Sequence, residues 1–154
     1  MAVGFSGSNG GITDKAEKAK VNVSANDVLS RFSFPMEVSY FINNVCNLSC
    51  KHCYVGTTGT TDRLTTEEWK KVFKECMKLG ALTFGNVGKE PTVVWKDTLE
   101  LLRWFKEERR SLPRLRYGIV TNGILLGEER IFELADADPT YVDISFDGSR
   151  EVHD

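Results

Sequence analysis

Three observations predict an α/β fold of parallel βα repeats. Strand-like segments alternate with helical segments from residue 36 to residue 146. Helices between strands supply the crossovers that parallel pairing requires, with the right-handed sense such units take. Each strand candidate is followed by a polar or glycine-rich motif: CNLSCKHCY, GKEP, TNG and SFDG. In parallel sheets, chemistry gathers at these carboxyl ends.

The elements follow in order. Residues 1–33 are Gly-, Ser-, Asn- and Lys-rich at first and weakly patterned, which predicts a flexible arm; residues 34–154 form the core domain. MEVSYFI (36–42) is β-branched and aromatic and reads as a strand. TTEEWKKVFKECMKLG (65–80) reads as a helix, with Thr65 and Glu68 as a capping box and Gly80 as its stop. Trp69, Val72, Phe73, Cys76 and Leu79 fall at helical spacing on one face. ALTFGNV (81–87) is the second strand. KDTLELLRWFKEERR (96–110) is the second helix, with Leu99, Leu102 and Phe105 as its apolar stripe and Arg109 and Arg110 at its negative end. Trp95 and Trp104 read as packing residues. LRYGIVT (115–121) is the third strand, GEERIFELADA (127–137) the third helix and TYVDISF (140–146) the fourth strand.

A parallel sheet is normally covered on both faces and rarely ends on a bare edge. A strand eight residues from the last residue therefore reads as the front part of a larger fold.

Composition narrows the function. The chain has 154 residues, 41% of them apolar, enough for one core without disulfides. A net charge of −2 with no basic block argues against a nucleic-acid or membrane partner. No apolar run reaches membrane-spanning length, and MAVGFSGSNGGITDKAEKAK lacks the pattern of a secretory signal. A reducing cytoplasm is the expected compartment, where clustered cysteines point to metal or redox chemistry.

Cys46, Cys50 and Cys53 fall within nine residues, spaced C-x3-C-x2-C. Thiolates bind iron–sulfur clusters, zinc or other soft metals. A structural zinc site wants four closed ligands. His52 adjoins Cys53 and is poorly placed to share an ion, and Cys76 lies on an apolar helix face, where a free cysteine is a small hydrophobe. Three ligands fit a [4Fe–4S] cluster with one iron left open, the mark of a catalytic metal site. Zinc binding, and thiols clustered by chance, are the alternatives.

This wording resembles the cluster motif of the radical S-adenosylmethionine (radical SAM) enzymes, and CNLSCKHCY is similar to the peptide- and protein-modifying branch, which often carries a SPASM or twitch extension. The resemblance covers about residues 35–154, with four motifs in order at four strand ends. It implies that the repeats form the N-terminal part of a partial (β/α)6 TIM-like barrel. It implies that Cys46, Cys50 and Cys53 hold the cluster while the open iron takes the amino nitrogen and carboxylate of SAM. Tyr54 and His52 fall where the family places groups near the adenine. Gly88, Lys89, Glu90 and Pro91 match the GGEP motif that meets the methionine amino group. Thr121, Asn122 and Gly123 match TNG. Ser145, Asp147 and Gly148 match S-x-D-G, in the region used for ribose hydroxyls and methionine carboxylate.

Lys89 departs from the family, which has glycine there. Glycine permits close approach and unusual dihedrals that lysine resists. Either the loop tolerates lysine with its side chain turned outward, or SAM binding is altered. Taken singly, Asn-Gly and Asp-Gly are ordinary turn punctuation, and Glu90 before Pro91 reads equally as a surface charge. His153 reads as a solvated residue.

The chemistry implied is reductive cleavage of SAM to a 5′-deoxyadenosyl radical that abstracts hydrogen from a peptide or protein side chain. An electron donor such as flavodoxin or ferredoxin and an anaerobic cytoplasm are implied with it. The alternatives are the same chemistry on a small molecule or nucleic acid, and a non-catalytic metal-binding fragment inactive alone.

Overall fold

The structure, a computed structural model, describes residues 37–56 and 62–149. All of them belong to the unit Phe32–Asp154. The arm expected over 1–33 and His153 lie outside the described residues.

Strand β1 (Glu37–Tyr40) is followed by helix α1 (Thr66–Lys78), strand β2 (Thr83–Asn86), a 3₁₀ turn (Pro91–Val94) and helix α2 (Trp95–Ser111). Strand β3 (Arg116–Thr121), helix α3 (Glu128–Ala137) and strand β4 (Tyr141–Ile144) complete the described chain. The strands form one parallel sheet in the order β1-β2-β3-β4, so each pairs with its predecessor in sequence. The parallel βα repeat is therefore as expected. The strands are shorter than the sequence implied: β1, β2 and β4 give way to loop before the expected carboxyl end, while β3 keeps its end at Thr121.

The helix α1 shows why its ends fall where they do. Thr65 Oγ1 accepts from Glu68 N–H (3.3 Å) and the Glu68 carboxyl accepts from Thr65 N–H (2.8 Å). This reciprocal box satisfies two donors that a helix start otherwise leaves open. At the other end Leu79 caps the helix and Gly80 takes a φ of +100°. The expected apolar stripe needs correction. Phe73 is fully buried and Trp69 and Cys76 pack against the core, but Val72 is 40% and Leu79 62% exposed. They stand at the margins of the stripe, beyond what the sheet and α2 cover.

The core lies between the helices and one face of the sheet. Phe73 is its centre, with ring centroids 4.7 Å from Tyr40, 5.4 Å from Phe84 and 5.1 Å from Phe105. Leu99, Leu101, Leu102 and Phe105 of α2 are buried, as are Tyr117 and Ile119 of β3. Burial of each such side chain contributes roughly 1.5–3 kcal/mol before the cost of ordering it. Trp104 packs on this cluster, while Trp95 also donates its indole N–H to Glu133 (2.6 Å).

The opposite face of the sheet is different. Ser39, Gly85, Gly118 and Tyr141 occupy one row across the four strands. The Tyr141 ring lies over Gly118, where any Cβ would collide with it. Its hydroxyl donates to the Phe84 carbonyl (3.4 Å). Burial, then the neighbouring Glu37 and Asp143, push its ionisation above the ordinary tyrosine range, keeping it a donor.

Candidate active site

The four strand-end loops converge on one cleft of about 450 Å³. The loop after β1 contributes all three clustered cysteines to its lining, along with Tyr54. The loop after β2 contributes Lys89 and Glu90, that after β3 Thr121 and Asn122, and the segment after β4 Ser145. Gly88, Pro91 and Asp147 sit outside the lining. Gly88 is buried against Phe41, Pro91 is the buried first residue of the 3₁₀ turn, and Asp147 meets His52 at 3.3 Å.

Glu90 organises the loops. It is 1% exposed, so the reading of it as a surface charge is corrected. Its Oε1 accepts from Thr92 N–H (3.0 Å), Thr92 Oγ1–H (2.6 Å) and Thr121 Oγ1–H (2.7 Å). Its Oε2 accepts from Asn122 N–H (2.8 Å). Its main chain faces the other way: Glu90 N–H donates to Val45 O (3.3 Å), and Glu90 O accepts from Asn43 Nδ2 (3.0 Å). One residue thus joins the loops after β1, β2 and β3. The Glu90 and Thr121 oxygens expected against SAM are here engaged with chain neighbours, since Thr121 Oγ1 also accepts from Gly123 N–H (3.0 Å).

Two glycine-type demands shape the same loop. A Cβ on Gly88 would fall inside the Phe41 ring. Lys89 adopts a φ of +50°, the left-handed conformation that glycine takes at least cost. The backbone therefore keeps the glycine-like path despite the lysine, with the residue half-buried at the cleft.

The cysteine loop is more open. Cys46, Cys50 and Cys53 are exposed free thiols. Cys53 N–H donates to Cys50 O (3.1 Å), closing a tight turn, and Leu48 N–H donates to the Cys46 sulfur (3.4 Å). Two polar clasps tie the loop across the cleft. Asn122 Nδ2–H donates to Asn47 Oδ1 (2.9 Å), and His52 Nε2 lies 3.3 Å from Asp147. Tyr54 projects outward and is 86% exposed. Cys76 stands apart, packed on the core from α1.

Among the described residues no group of three or more His, Cys, Asp and Glu side chains is placed to hold a metal ion. A cluster makes a different demand, because each cysteine binds a separate iron and the thiols need not converge on one point. Three exposed soft donors around one cleft fit that group.

Asn43, Asn47 and Thr92 were not read from the sequence as site residues. Asn43 and Thr92 are buried polar groups, and the only local signal was a polar residue set beside an apolar strand or a motif.

The profile of the radical SAM superfamily matches residues 40–154. This chain belongs to the radical SAM superfamily. That superfamily uses a [4Fe–4S] cluster and SAM. A PqqA peptide cyclase from Bradyrhizobium diazoefficiens is 38% identical over 122 residues, which cover 78% of this radical SAM chain and 30% of the relative. An Fe-coproporphyrin III synthase from Methanosarcina barkeri is 34% identical over 111 residues, 71% of this chain and 26% of the relative. The chain thus spans about a third or less of the length of these curated relatives. Streptococcus suis SuiB bound to S-adenosylmethionine superposes with a TM-score of 0.59 at 23% identity, over 75% of this chain and 26% of that one. BtrN in complex with AdoMet and 2-DOIA gives 0.55 at 19% identity, over 76% of this chain and 50% of that one. These likenesses show the fold: the α/β repeat of the radical SAM barrel enzymes. No helix among the described residues is long and apolar enough to cross a membrane.

Proposed function

We propose that this chain is the cluster- and SAM-binding part of an enzyme that modifies a peptide or protein side chain. The observation that carries the reading is the placement of Cys46, Cys50 and Cys53 on one cleft with the ends of the other strands. In this reading the three thiolates hold a [4Fe–4S] cluster and leave one iron for SAM. When bound, the cluster supplies the electron that cleaves SAM to the 5′-deoxyadenosyl radical, which takes hydrogen from the substrate.

The chain's own groups do the rest. Of the GKEP loop, Lys89 lines the cleft, where the motif meets the methionine amino group, and Gly88 seats the loop against Phe41. Ser145 offers a hydroxyl suited to ribose hydroxyls, while Asp147 holds the cysteine loop through His52. Tyr54 offers an exposed ring to the adenine. Glu90, Pro91, Thr121 and Asn122 hold the loops in place. A flavodoxin- or ferredoxin-type donor and an anaerobic cytoplasm complete the proposal.

A peptide substrate is supported by relatives named PqqA peptide cyclase and by the fold shared with SuiB, seen bound to the precursor peptide SuiA. The small-molecule reading draws on the Fe-coproporphyrin III synthase and BtrN likenesses.

Anaerobic reconstitution tests the core of the proposal. About four irons per chain are expected, with 5′-deoxyadenosine released from SAM on reduction, and neither in a chain lacking the three thiols. Stoichiometric zinc without iron in the intact chain would sink it. Transfer of deuterium from a side-chain-deuterated PqqA-type peptide into 5′-deoxyadenosine supports the peptide reading, whereas product free of deuterium counts against it.

A further inference from the structure

We propose that Asn122 is a positioning residue for Cys46, held in place by Glu90 and joined to the cysteine loop through Asn47. The inference rests on the reading of Cys46 as a cluster ligand and assigns to Asn122 a role toward the cluster rather than toward SAM.

The orientation of the Asn122 amide is fixed by its neighbours. Ile124 N–H, which can only donate, lies 3.1 Å from Asn122 Oδ1. The oxygen must therefore face Ile124, and the NH2 group must face the cysteine loop. There Nδ2 donates to Asn47 Oδ1 at 2.9 Å and lies 3.9 Å from the Cys46 sulfur. Behind it, Asn122 N–H is held by Glu90 Oε2 at 2.8 Å. The main chain and both ends of the side-chain amide are thus engaged, and Asn122 cannot turn away without breaking a hydrogen bond.

Cys46 is accordingly unlike its two partners. Its sulfur receives Leu48 N–H at 3.4 Å and has Asn122 Nδ2 within reach. Among the described residues, neither Cys50 nor Cys53 has such a donor at its sulfur. Hydrogen bonds to ligating sulfurs are one of the levers that set a cluster's reduction potential, because they stabilise the more negative reduced form. The chain from the GKEP loop through TNG to CNLSCKHCY therefore fixes where Cys46 sits. The donors at that sulfur would also raise the potential of a cluster held there.

Two measurements separate this inference from the cluster reading itself. The first uses the full chain without iron, followed by hydrogen exchange of the segment 44–56. Asn122→Ala and Asn47→Ala are each expected to speed exchange by roughly two- to tenfold, the worth of one hydrogen bond. The double variant should be no faster than the faster single, since both remove the same link. Protection of α2 serves as the control for folding. Unchanged exchange, or single effects that multiply in the double, overturns the clasp.

The second uses the reconstituted chain and a redox titration followed by electron paramagnetic resonance. Asn122→Ala should move the cluster to a more negative potential, and Asn122→Asp further still, because it places charge where a donor was. An unchanged potential overturns the donor role. A wild-type chain that takes up no iron refutes the cluster reading and the donor role together, while the exchange result still decides the clasp.

Discussion

The loops after β1 and β2 leave the same end of the same sheet, yet they are built in opposite ways. In GKEP, Glu90 is 1% exposed and accepts four hydrogen bonds through its carboxyl, and Gly88 is packed on the Phe41 ring. In CNLSCKHCY the three thiols are exposed, and the loop is tied across the cleft by Asn122 and Asp147 from the segments after β3 and β4. The first loop buries its charged group in hydrogen bonds to its neighbours; the second keeps its thiols at the surface. The difference teaches a division of labour. Rigidity at a binding site comes from a loop whose buried carboxyl is fully bonded to the loops around it, and reactivity from a neighbour that keeps its ligating atoms at the surface.

The sharpest way to break this contrast is Glu90→Gln. Either placement of the new amide nitrogen sets it against a main-chain N–H that only donates, that of Thr92 or that of Asn122, so a buried network loses a partner along with its charge. A loss of about 3 kcal/mol is expected in urea unfolding of the chain without iron. Serine at Cys46, Cys50 and Cys53 together should change the same midpoint by only about 0.5 kcal/mol, as exposed substitutions do. Comparable losses at the two loops would erase the distinction.

Next in size is Gly88→Ala, which forces the Phe41 ring to move. Overpacking of this kind costs about 1–3 kcal/mol. Adding Phe41→Ala should recover part of it relative to Phe41→Ala alone, a coupling visible in a double-mutant cycle of unfolding midpoints. Strictly additive losses would mean the glycine is needed for another reason.

The smallest effect sharpens the reading of Lys89. A left-handed lysine costs about 1–2 kcal/mol, whereas glycine adds about 0.4–1 kcal/mol of chain freedom to the unfolded state. Lys89→Gly is thus expected to stabilise by about 0.5 kcal/mol. A lowered urea midpoint would show that the lysine side chain holds the loop.

These loops also mark where the sequence was legible. Thr65, Glu68 and Gly80 announced helix α1 because capping is local chemistry, readable within a few residues. The strands were visible as β-branched and aromatic runs, and the motif at each strand end placed the cleft. Val72 and Leu79 were misread because the stripe depends on how far the partner surfaces reach, which spacing alone does not encode. The 3₁₀ turn at Pro91–Val94 went unseen, since four residues carry no periodicity. Glu90 stood in the motif matched to SAM, with a surface charge as the plain alternative, and its network was hidden because its partners Thr121 and Asn122 lie 31 and 32 residues away. The Asn47–Asn122 link spans 75 residues and had no local signal at all.

The order β1-β2-β3-β4 has a consequence for biosynthesis. A sheet whose spatial order equals its chain order grows by addition as the polypeptide leaves the ribosome, each strand arriving beside a neighbour already made. The cysteine loop is translated before Asn122, so its clasp waits for the third strand. Nascent thiols therefore pass through an interval of exposure before that clasp can form.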